Sequence, residues 1–282
     1  MQPANPTQLS RPRVRIYDIG ERIARNVWRL PVVGSLIERD YARAFHRGRG
    51  RYRGVYASFA EAETSIPSGE RIGFNHTELA SMYRERMLKA CASDYPVVYW
   101  MRRILEPGAV VYDFGGHIGI SYHGWKGYLD YPARMRWIVY DLPAITRAGE
   151  ALARVRPSPG LSFTNDLHDA QGCTVFLAAG SLQFVETSLP ALLAEAGCRP
   201  RHVIVNKLPL YDGAPFVTVQ SAGNAFHPYQ IGNRSELVSG MAALGYRVVD
   251  DWMNGELSCR IPFTVDCDID TYSGYYFTRD RL

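Results

Sequence analysis

An apolar run that leads into an acidic residue and then into closely spaced glycines is the feature that most constrains the fold of this chain. Residues 110–119 read VVYDFGGHIG. Glycine lets the backbone approach a ligand where any Cβ would collide, and a helix after such a turn offers unpaired backbone N–H groups to that ligand. The spacing differs from the G-x-G-x-x-G dinucleotide fingerprint. The pattern predicts a strand, a ligand-binding turn and a helix, the repeating unit of an α/β fold.

Three further apolar runs are each followed by polar or small residues that would lie at the same edge of a parallel sheet. Asp141 follows residues 136–140, Asp166 follows residues 161–165, and residues 174–178 lead into the sequence AGS at 179–181. An acid at the end of the second strand of a doubly wound fold accepts hydrogen bonds from ribose hydroxyls. Aspartate is also a favoured N-cap, so the alternative is that these acids only cap the helices that follow.

Acidic strand ends, with no phosphate-binding lysine in the glycine turn, favour a ligand that carries a nucleoside and a positive charge rather than phosphates. S-adenosylmethionine has both. The predicted cofactor-binding residues are Asp113, Gly115, Gly116, Gly119, Asp141, Leu142, Asp166, Ala179, Gly180 and Ser181.

At these residues the sequence resembles the class I methyltransferases that use S-adenosylmethionine. The sequence DLP at 141–143 resembles small-molecule O-methyltransferases. RGVYASF at 53–59, YPVVYW at 95–100 and DFGG at 113–116 are similar to a family of bacterial methyltransferases often encoded beside surface-polysaccharide enzymes, and the resemblance extends through PYQI at 228–231 to DW at 251–252. It implies the cofactor more strongly than the acceptor.

The alternation of strand and helix patterns predicts a Rossmann-like fold, a mostly parallel sheet with helices on both faces. The resemblance to class I methyltransferases implies seven strands and places residues 275–278 in a final strand that is inserted antiparallel. We expect a basic, helical N-terminal extension or lid at residues 1–100 and the S-adenosylmethionine-binding catalytic domain at residues 101–282.

The composition bears on cellular location. No stretch of eighteen apolar residues is present, and the N-terminus lacks the apolar core of a signal peptide. The five cysteines show no C-x-x-C pairing, which favours reduced thiols over a disulfide framework or a zinc site. These features predict a cytoplasmic protein without a metal site.

The N-terminal segment is strongly basic. Up to Arg53 it has 12 arginines and 4 acidic residues, a charge of +8, so that the remainder carries −4 of the net +4. Apolar residues at positions 16, 19, 23 and 27 recur at helical spacing. We expect this helix to pack on the catalytic domain or on a second copy of the chain in a homodimer. Contact with an anionic membrane or with an acidic substrate is the less favoured alternative, and no nucleic-acid-binding motif accompanies the charge.

Residues 207–233 form too long a connection after the fifth predicted strand to be a plain loop, and they lie at the ligand-binding edge of the sheet. Within this segment residues 216–220 predict a hairpin arm, and residues 227–230 are candidates for the acceptor pocket. The alternative is a structural flap.

A hydroxyl acceptor must lose its proton to a base, for which histidine is the usual group. Small-molecule O-methyltransferases carry a catalytic histidine shortly after the fourth strand, where this chain has GSLQFVE at 180–186. The candidates are, in order, His227, His117 and Glu186. The sequence therefore predicts methylation of a small molecule or glycan precursor, with O-methylation slightly preferred. The alternatives are an N- or C-methyltransferase, whose acceptor needs no strong base, and a non-catalytic binding protein with the same fold.

Overall fold

The computed structural model describes residues 31–48, 50–67, 87, 89–222, 225–264 and 266–279. The described α-helices are α1 (Pro31–Phe45), α2 (Phe59–Thr64), α3 (Tyr95–Ile104), α4 (Ile120–Trp125), α5 (Pro143–Val155), α6 (Leu189–Glu195) and α7 (Arg234–Ala243). The described strands are β1 (Tyr52–Tyr56), β2 (Val110–Phe114), β3 (Arg136–Tyr140), β4 (Leu161–Thr164), β5 (Val175–Ala179), β6 (His202–Leu208), β7 (Leu210–Tyr211), β8 (Phe216–Ser221), β9 (Phe226–Asn233), β10 (Arg247–Asn254) and β11 (Tyr272–Thr278).

The larger of two sheets has seven strands in the order β10-β11-β6-β5-β2-β3-β4. The strands β4, β3, β2, β5 and β6 run parallel, and β11 lies antiparallel between β10 and β6. Every residue of β2 is buried, as expected for a central parallel strand covered on both faces. The predicted Rossmann-like α/β fold and its antiparallel final strand are confirmed.

Helices cover both faces of this sheet because side chains alternate along each strand. Val111 packs in one core cluster with residues of α3 and α4, among them Met101 and Tyr122. Tyr112 packs in the other with residues of α6 and α7, among them Leu193. These two clusters pack the helices against the two faces of the sheet.

A smaller, four-stranded sheet has the order β1-β8-β9-β7. The predicted hairpin arm is the antiparallel pair β8–β9, which lies within the long connection after β6. Strand β1 pairs with β8, with Tyr52 opposite Gln220. Residues 52–56 thus form a strand within residues 1–100, the segment that we expected to be a helical extension.

The N-terminal segment packs against this smaller sheet. Phe45, at the end of α1, is 1 % exposed and contacts the ring of Phe226 with centroids 5.3 Å apart. The expected boundary between residues 100 and 101 falls inside α3. The amphipathic helix expected at residues 16–27 lies outside the described residues. No helix in the described part of the chain is long and apolar enough to cross a membrane.

Candidate functional site

The turn after β2 is built from left-handed backbone and close contacts. Gly115 has φ +70°, and its N–H donates to the carbonyl oxygen of Tyr140 at 2.8 Å. A Cβ at Gly115 would overlap the Cβ of Ser181, and one at Gly116 would lie 2.5 Å from the carboxyl carbon of Asp113. Only glycine fits at both positions, so the sequence signal at 115–116 reflects the geometry of this turn.

Asp141, at the end of β3, organises the same turn. Its Oδ2 accepts the N–H of His117 at 2.8 Å and its Oδ1 accepts the N–H of Leu142 at 2.7 Å. Burial raises the pKa of Asp141, and the two backbone hydrogen bonds oppose this by stabilising the carboxylate. The side chain therefore holds the turn and also faces the cavity described below.

Asp113 is the more deeply buried acid, with 1 % of its surface exposed. The indole Nε1–H of Trp137 donates to its Oδ2 at 3.0 Å. The pKa of Asp113 is raised to about 7, chiefly by burial; the Trp137 hydrogen bond lowers it and the nearby Asp141 raises it. The proton on Asp113 thus responds to any positive charge placed beside it.

A cavity of about 530 Å³ opens at the carboxyl edge of the parallel strands, between the larger and the smaller sheet. This volume lies in the range of roughly 300–1,000 Å³ of small-molecule sites. Of the predicted cofactor-binding residues, those that line it are Asp113, Gly115, Gly116, Asp141, Leu142, Ala179, Gly180 and Ser181.

Gly119 and Asp166 are not among the described residues that line this cavity. Gly119 precedes α4 with φ +85° and serves as its N-cap residue. Asp166 follows β4, the edge strand of the sheet, and its Oδ1 accepts the N–H of His168 at 2.9 Å. Its capping role matches the alternative that the sequence left open.

The three predicted bases occupy different environments. His117 lines the cavity, and burial lowers its pKa to about 4, so that it is neutral at pH 7. His227 is buried on β9 with its ring 5.9 Å from that of Phe184, and it is not among the described lining residues. Glu186 is exposed and also absent from the described lining. The structure thus brings only His117 of the three to the described cavity wall.

Sequence reasoning missed an ion pair on the cavity wall. Lys207 Nζ lies 2.7 Å from Asp94 Oδ1, and both side chains are largely buried. The pair is held in place by Asn206, whose Nδ2 donates to the carbonyl oxygen of Ser93 at 2.8 Å and whose Oδ1 accepts the indole N–H of Trp252 at 2.9 Å. The sequence carried no signal for this pair beyond the place of Lys207 at the start of the long connection after the fifth predicted strand.

A row of tyrosine hydroxyls borders the cavity on the side of the smaller sheet. Tyr229 and Tyr272 line the cavity, whereas Tyr52 lies behind them. The hydroxyl of Tyr229 donates to that of Tyr272 at 2.8 Å, and Tyr272 and Tyr52 are joined at 3.1 Å. Tyr229 belongs to the acceptor segment expected from the sequence, but Tyr272 and Tyr52 carried no sequence signal.

No protein-family model matches the sequence, and the search of curated proteins found no significant match. Among solved structures, the chain is similar to one in the complex between the Haloferax volcanii Trm112 methyltransferase activator and a protein described as a methyltransferase. The identity is 13%, the TM-score is 0.50, and 73% of this chain and 95% of that chain are covered. This likeness shows a shared fold, and fold alone does not establish function.

Two further similar structures have lower TM-scores. One is the magnesium protoporphyrin IX methyltransferase of Synechocystis PCC 6803 with bound S-adenosylmethionine, at 13% identity and a TM-score of 0.46, covering 74% of this chain and 86% of that chain. The other is a methyltransferase from Geobacter sulfurreducens in complex with S-adenosylhomocysteine, at 16% identity and a TM-score of 0.41, covering 65% and 74%.

Proposed function

We propose that this chain is an S-adenosylmethionine-dependent methyltransferase. The observation that carries the proposal is the meeting of Asp141, Asp113 and the turn at Gly115 and Gly116 on one cavity at the carboxyl edge of a parallel sheet. Ligands bind at this edge in open α/β folds. The proposal thus rests on the site and not only on the shape of the fold.

The residues present fit this cofactor. Each oxygen of Asp141 accepts one backbone N–H, and a carboxylate oxygen has a second lone-pair site that remains for a ribose hydroxyl. The carboxyls of Asp113 and Asp141 favour a cationic ligand over an anionic one. When bound, S-adenosylmethionine supplies the activated methyl group, and the protein's part is to orient the acceptor and exclude water.

We propose a small molecule or glycan precursor as acceptor, with a hydroxyl as the preferred site of methylation. The resemblance to bacterial methyltransferases encoded beside surface-polysaccharide enzymes supports a glycan precursor. We also propose a cytoplasmic location, because the five cysteines show no C-x-x-C pairing. His117 becomes the first candidate for the base because it lines the cavity, with His227 second and Glu186 third. The low pKa of His117 makes it a weak base, which favours the alternative of an N- or C-acceptor that needs no strong base.

The segment before residue 101 is proposed to cover the site. Cys91 and Asp94 already line the cavity from that segment, and Asp94 is tied to the sheet through Lys207. Packing of the basic N-terminus on a second copy of the chain stays a proposal alongside this one.

Calorimetry with S-adenosylhomocysteine tests the cofactor. The folded protein should bind it, and Asp141→Ala should weaken binding by about tenfold or more, because a hydrogen bond to a charged group is lost. Asp166→Ala is the matched control, since that carboxylate caps the next turn and does not line the described cavity. Absence of binding to folded wild-type protein would refute the proposal and favour a non-catalytic binding protein. Equal affinity of the two variants would refute the role of Asp141.

A screen of acceptors with labelled cofactor then decides the methylated atom. If a hydroxyl acceptor is found and His117 is the base, His117→Ala should lower turnover by about 10²–10⁴-fold at unchanged cofactor affinity. Turnover close to that of the wild type would move the assignment to His227, or to an acceptor that needs no base.

A further inference from the structure

The end of the cavity on the side of the smaller sheet presents hydrogen-bond donors. Arg51 immediately precedes β1, Gln220 lies on β8, and Tyr272 begins β11, and all three line the cavity. Arg51 and Gln220 are held together because the N–H of Ser221 donates to the carbonyl oxygen of Arg51 at 2.9 Å. We call these three residues the donor cluster.

Arg51 supplies a positive charge to the donor cluster. Its guanidinium carbon lies 5.5 Å from the centre of the Tyr52 ring. Within the described residues Arg51 has no salt-bridge partner, whereas Lys207, the other described cation on the cavity, is paired with Asp94. Arg51 is exposed and lines the cavity, so its guanidinium can meet a ligand there.

The row of tyrosine hydroxyls has one proton more than the hydrogen bonds within it use. Each tyrosine hydroxyl has one proton and can accept two hydrogen bonds. The hydroxyl of Tyr229 donates its proton to Tyr272. The bond between Tyr272 and Tyr52 then uses the proton of one of these two hydroxyls. One proton in the row is left over.

Of Tyr52 and Tyr272, only Tyr272 lines the described cavity, whereas Tyr52 is 2 % exposed and its hydroxyl accepts the Nε2–H of Gln220 at 3.1 Å. Either hydroxyl can be the donor in the bond between them. When Tyr52 donates to Tyr272, the Tyr272 proton is free, and an anion in the cavity favours this arrangement because it supplies the acceptor. Burial raises the pKa of Tyr272, which keeps this proton in place at neutral pH.

The two ends of the cavity therefore differ in charge. The carboxyls of Asp113 and Asp141 lie at the glycine turn, and the Arg51 cation with the Tyr272 hydroxyl lies at the smaller sheet. The pair of Asp94 and Lys207, which also lines the cavity, contributes no net charge. A ligand that spans the cavity therefore complements these charges best if it is positive at the glycine turn and negative at the smaller sheet.

We infer that the donor cluster binds an oxyanion, a carboxylate or a phosphate, carried by the methyl acceptor. The inference rests on the proposed function, which places the cofactor at the glycine turn and the acceptor beside it. A guanidinium and a hydroxyl donor suit both anions, since each offers several oxygens to fixed N–H and O–H groups.

Binding of three sugars tests this inference, and the proposed glycan acceptor makes sugars the suitable probes. D-glucuronate carries a carboxylate, D-glucose 6-phosphate a phosphate, and D-glucose neither. Each is titrated into the protein with and without S-adenosylhomocysteine, and binding is followed by saturation-transfer NMR. At least one anion should bind about tenfold or more tightly than glucose, and the tighter of the two identifies the oxyanion.

Two pairs of variants locate the effect, after circular dichroism and thermal unfolding show that each is folded. Arg51→Gln should remove the preference for the anion, whereas Arg53→Gln, at a half-buried cation two residues further that is not in the described lining, should keep it. Tyr272→Phe should weaken anion binding by about tenfold. Tyr52→Phe is its control, because Tyr272 then still has a proton to donate.

The inference is overturned if glucose binds as tightly as both anions, if no probe binds, or if Arg51→Gln keeps the preference. These results are distinct from failure of the proposed function. If S-adenosylhomocysteine does not bind but the anions do, the methyltransferase proposal fails and the oxyanion site stands.

Discussion

Replacing Gly115 by alanine tests whether the glycine turn is fixed by backbone conformation or by its contact with Ser181. Gly115 has φ +70°, and an added Cβ would overlap the Cβ of Ser181. Gly108 provides a matched control, because it has φ +81° and an added Cβ there meets nothing within 4 Å. Both variants therefore suffer the same backbone strain, and only Gly115→Ala adds a collision.

The expected free energies of unfolding follow from these two terms. A left-handed conformation costs an alanine about 1–2 kcal/mol, so Gly108→Ala should lose about that much stability. Overpacking adds about 1–3 kcal/mol, which brings the loss for Gly115→Ala to about 2–5 kcal/mol. Gly115→Ala should also weaken binding of S-adenosylhomocysteine, since the turn lines the cavity, whereas Gly108→Ala should not.

Chemical denaturation of the two variants and of a double-mutant cycle with Ser181→Gly measures these terms. Ser181→Gly alone costs about 1 kcal/mol, because the hydrogen bond from Ser181 Oγ to the carbonyl oxygen of Phe114 at 2.6 Å is lost. In the double variant the overlap disappears, so the two substitutions should show a favourable coupling of about 1–3 kcal/mol. Equal losses for Gly115→Ala and Gly108→Ala, or additive effects in the cycle, would refute the steric argument.

Three further changes test other parts of the structure. The folded-state pKa of Asp113, about 7, exceeds the ordinary 3.8, so the carboxyl's contribution to stability falls as the pH rises from about 4 to about 7. The melting temperature of Asp113→Asn relative to that of the wild type should therefore increase between pH 5 and pH 8. A constant difference between the two melting temperatures would contradict this. Lys207→Met should lower the free energy of unfolding by about 3–5 kcal/mol because it leaves the largely buried Asp94 without its cation, and adding Asp94→Asn should restore most of the loss. If nothing were recovered, Lys207 would act by packing alone. Phe45→Ala should cost about 3–5 kcal/mol because its ring is buried against Phe226, and a loss below 1 kcal/mol would show that α1 does not stabilise the smaller sheet.

The strands of the larger sheet that lie next to the cavity were predictable because their signals are local. A buried parallel strand needs an uninterrupted apolar run, and a ligand-binding turn after it needs glycine where a Cβ would collide. Residues 110–116 satisfy both conditions within seven positions, and Asp113, Gly115 and Gly116 line the cavity. Asp141 was found for the same reason, at the end of the next apolar run.

Asp166 shows a limit of prediction from local sequence. Its sequence context is the same as that of Asp141, an apolar run followed by an acid, but the strand order places β4 at the edge of the sheet. Strand order depends on how helices cross between distant segments, and no residue near Asp166 encodes it. The same pattern therefore produces a cavity-lining acid at β3 and a capping acid at β4.

Residues a few positions apart are sufficient to predict the fold class, the glycine turn and the acid of β3. The rest of the cavity wall depends on contacts between distant parts of the chain. The tertiary structure brings Asp94 to Lys207 across 113 positions and Tyr52 to Tyr272 across 220, and it pairs β1 with β8 to close the cavity. Such contacts follow from the packing of whole elements, whose energy is shared among many buried side chains, and no short pattern in the chain records them.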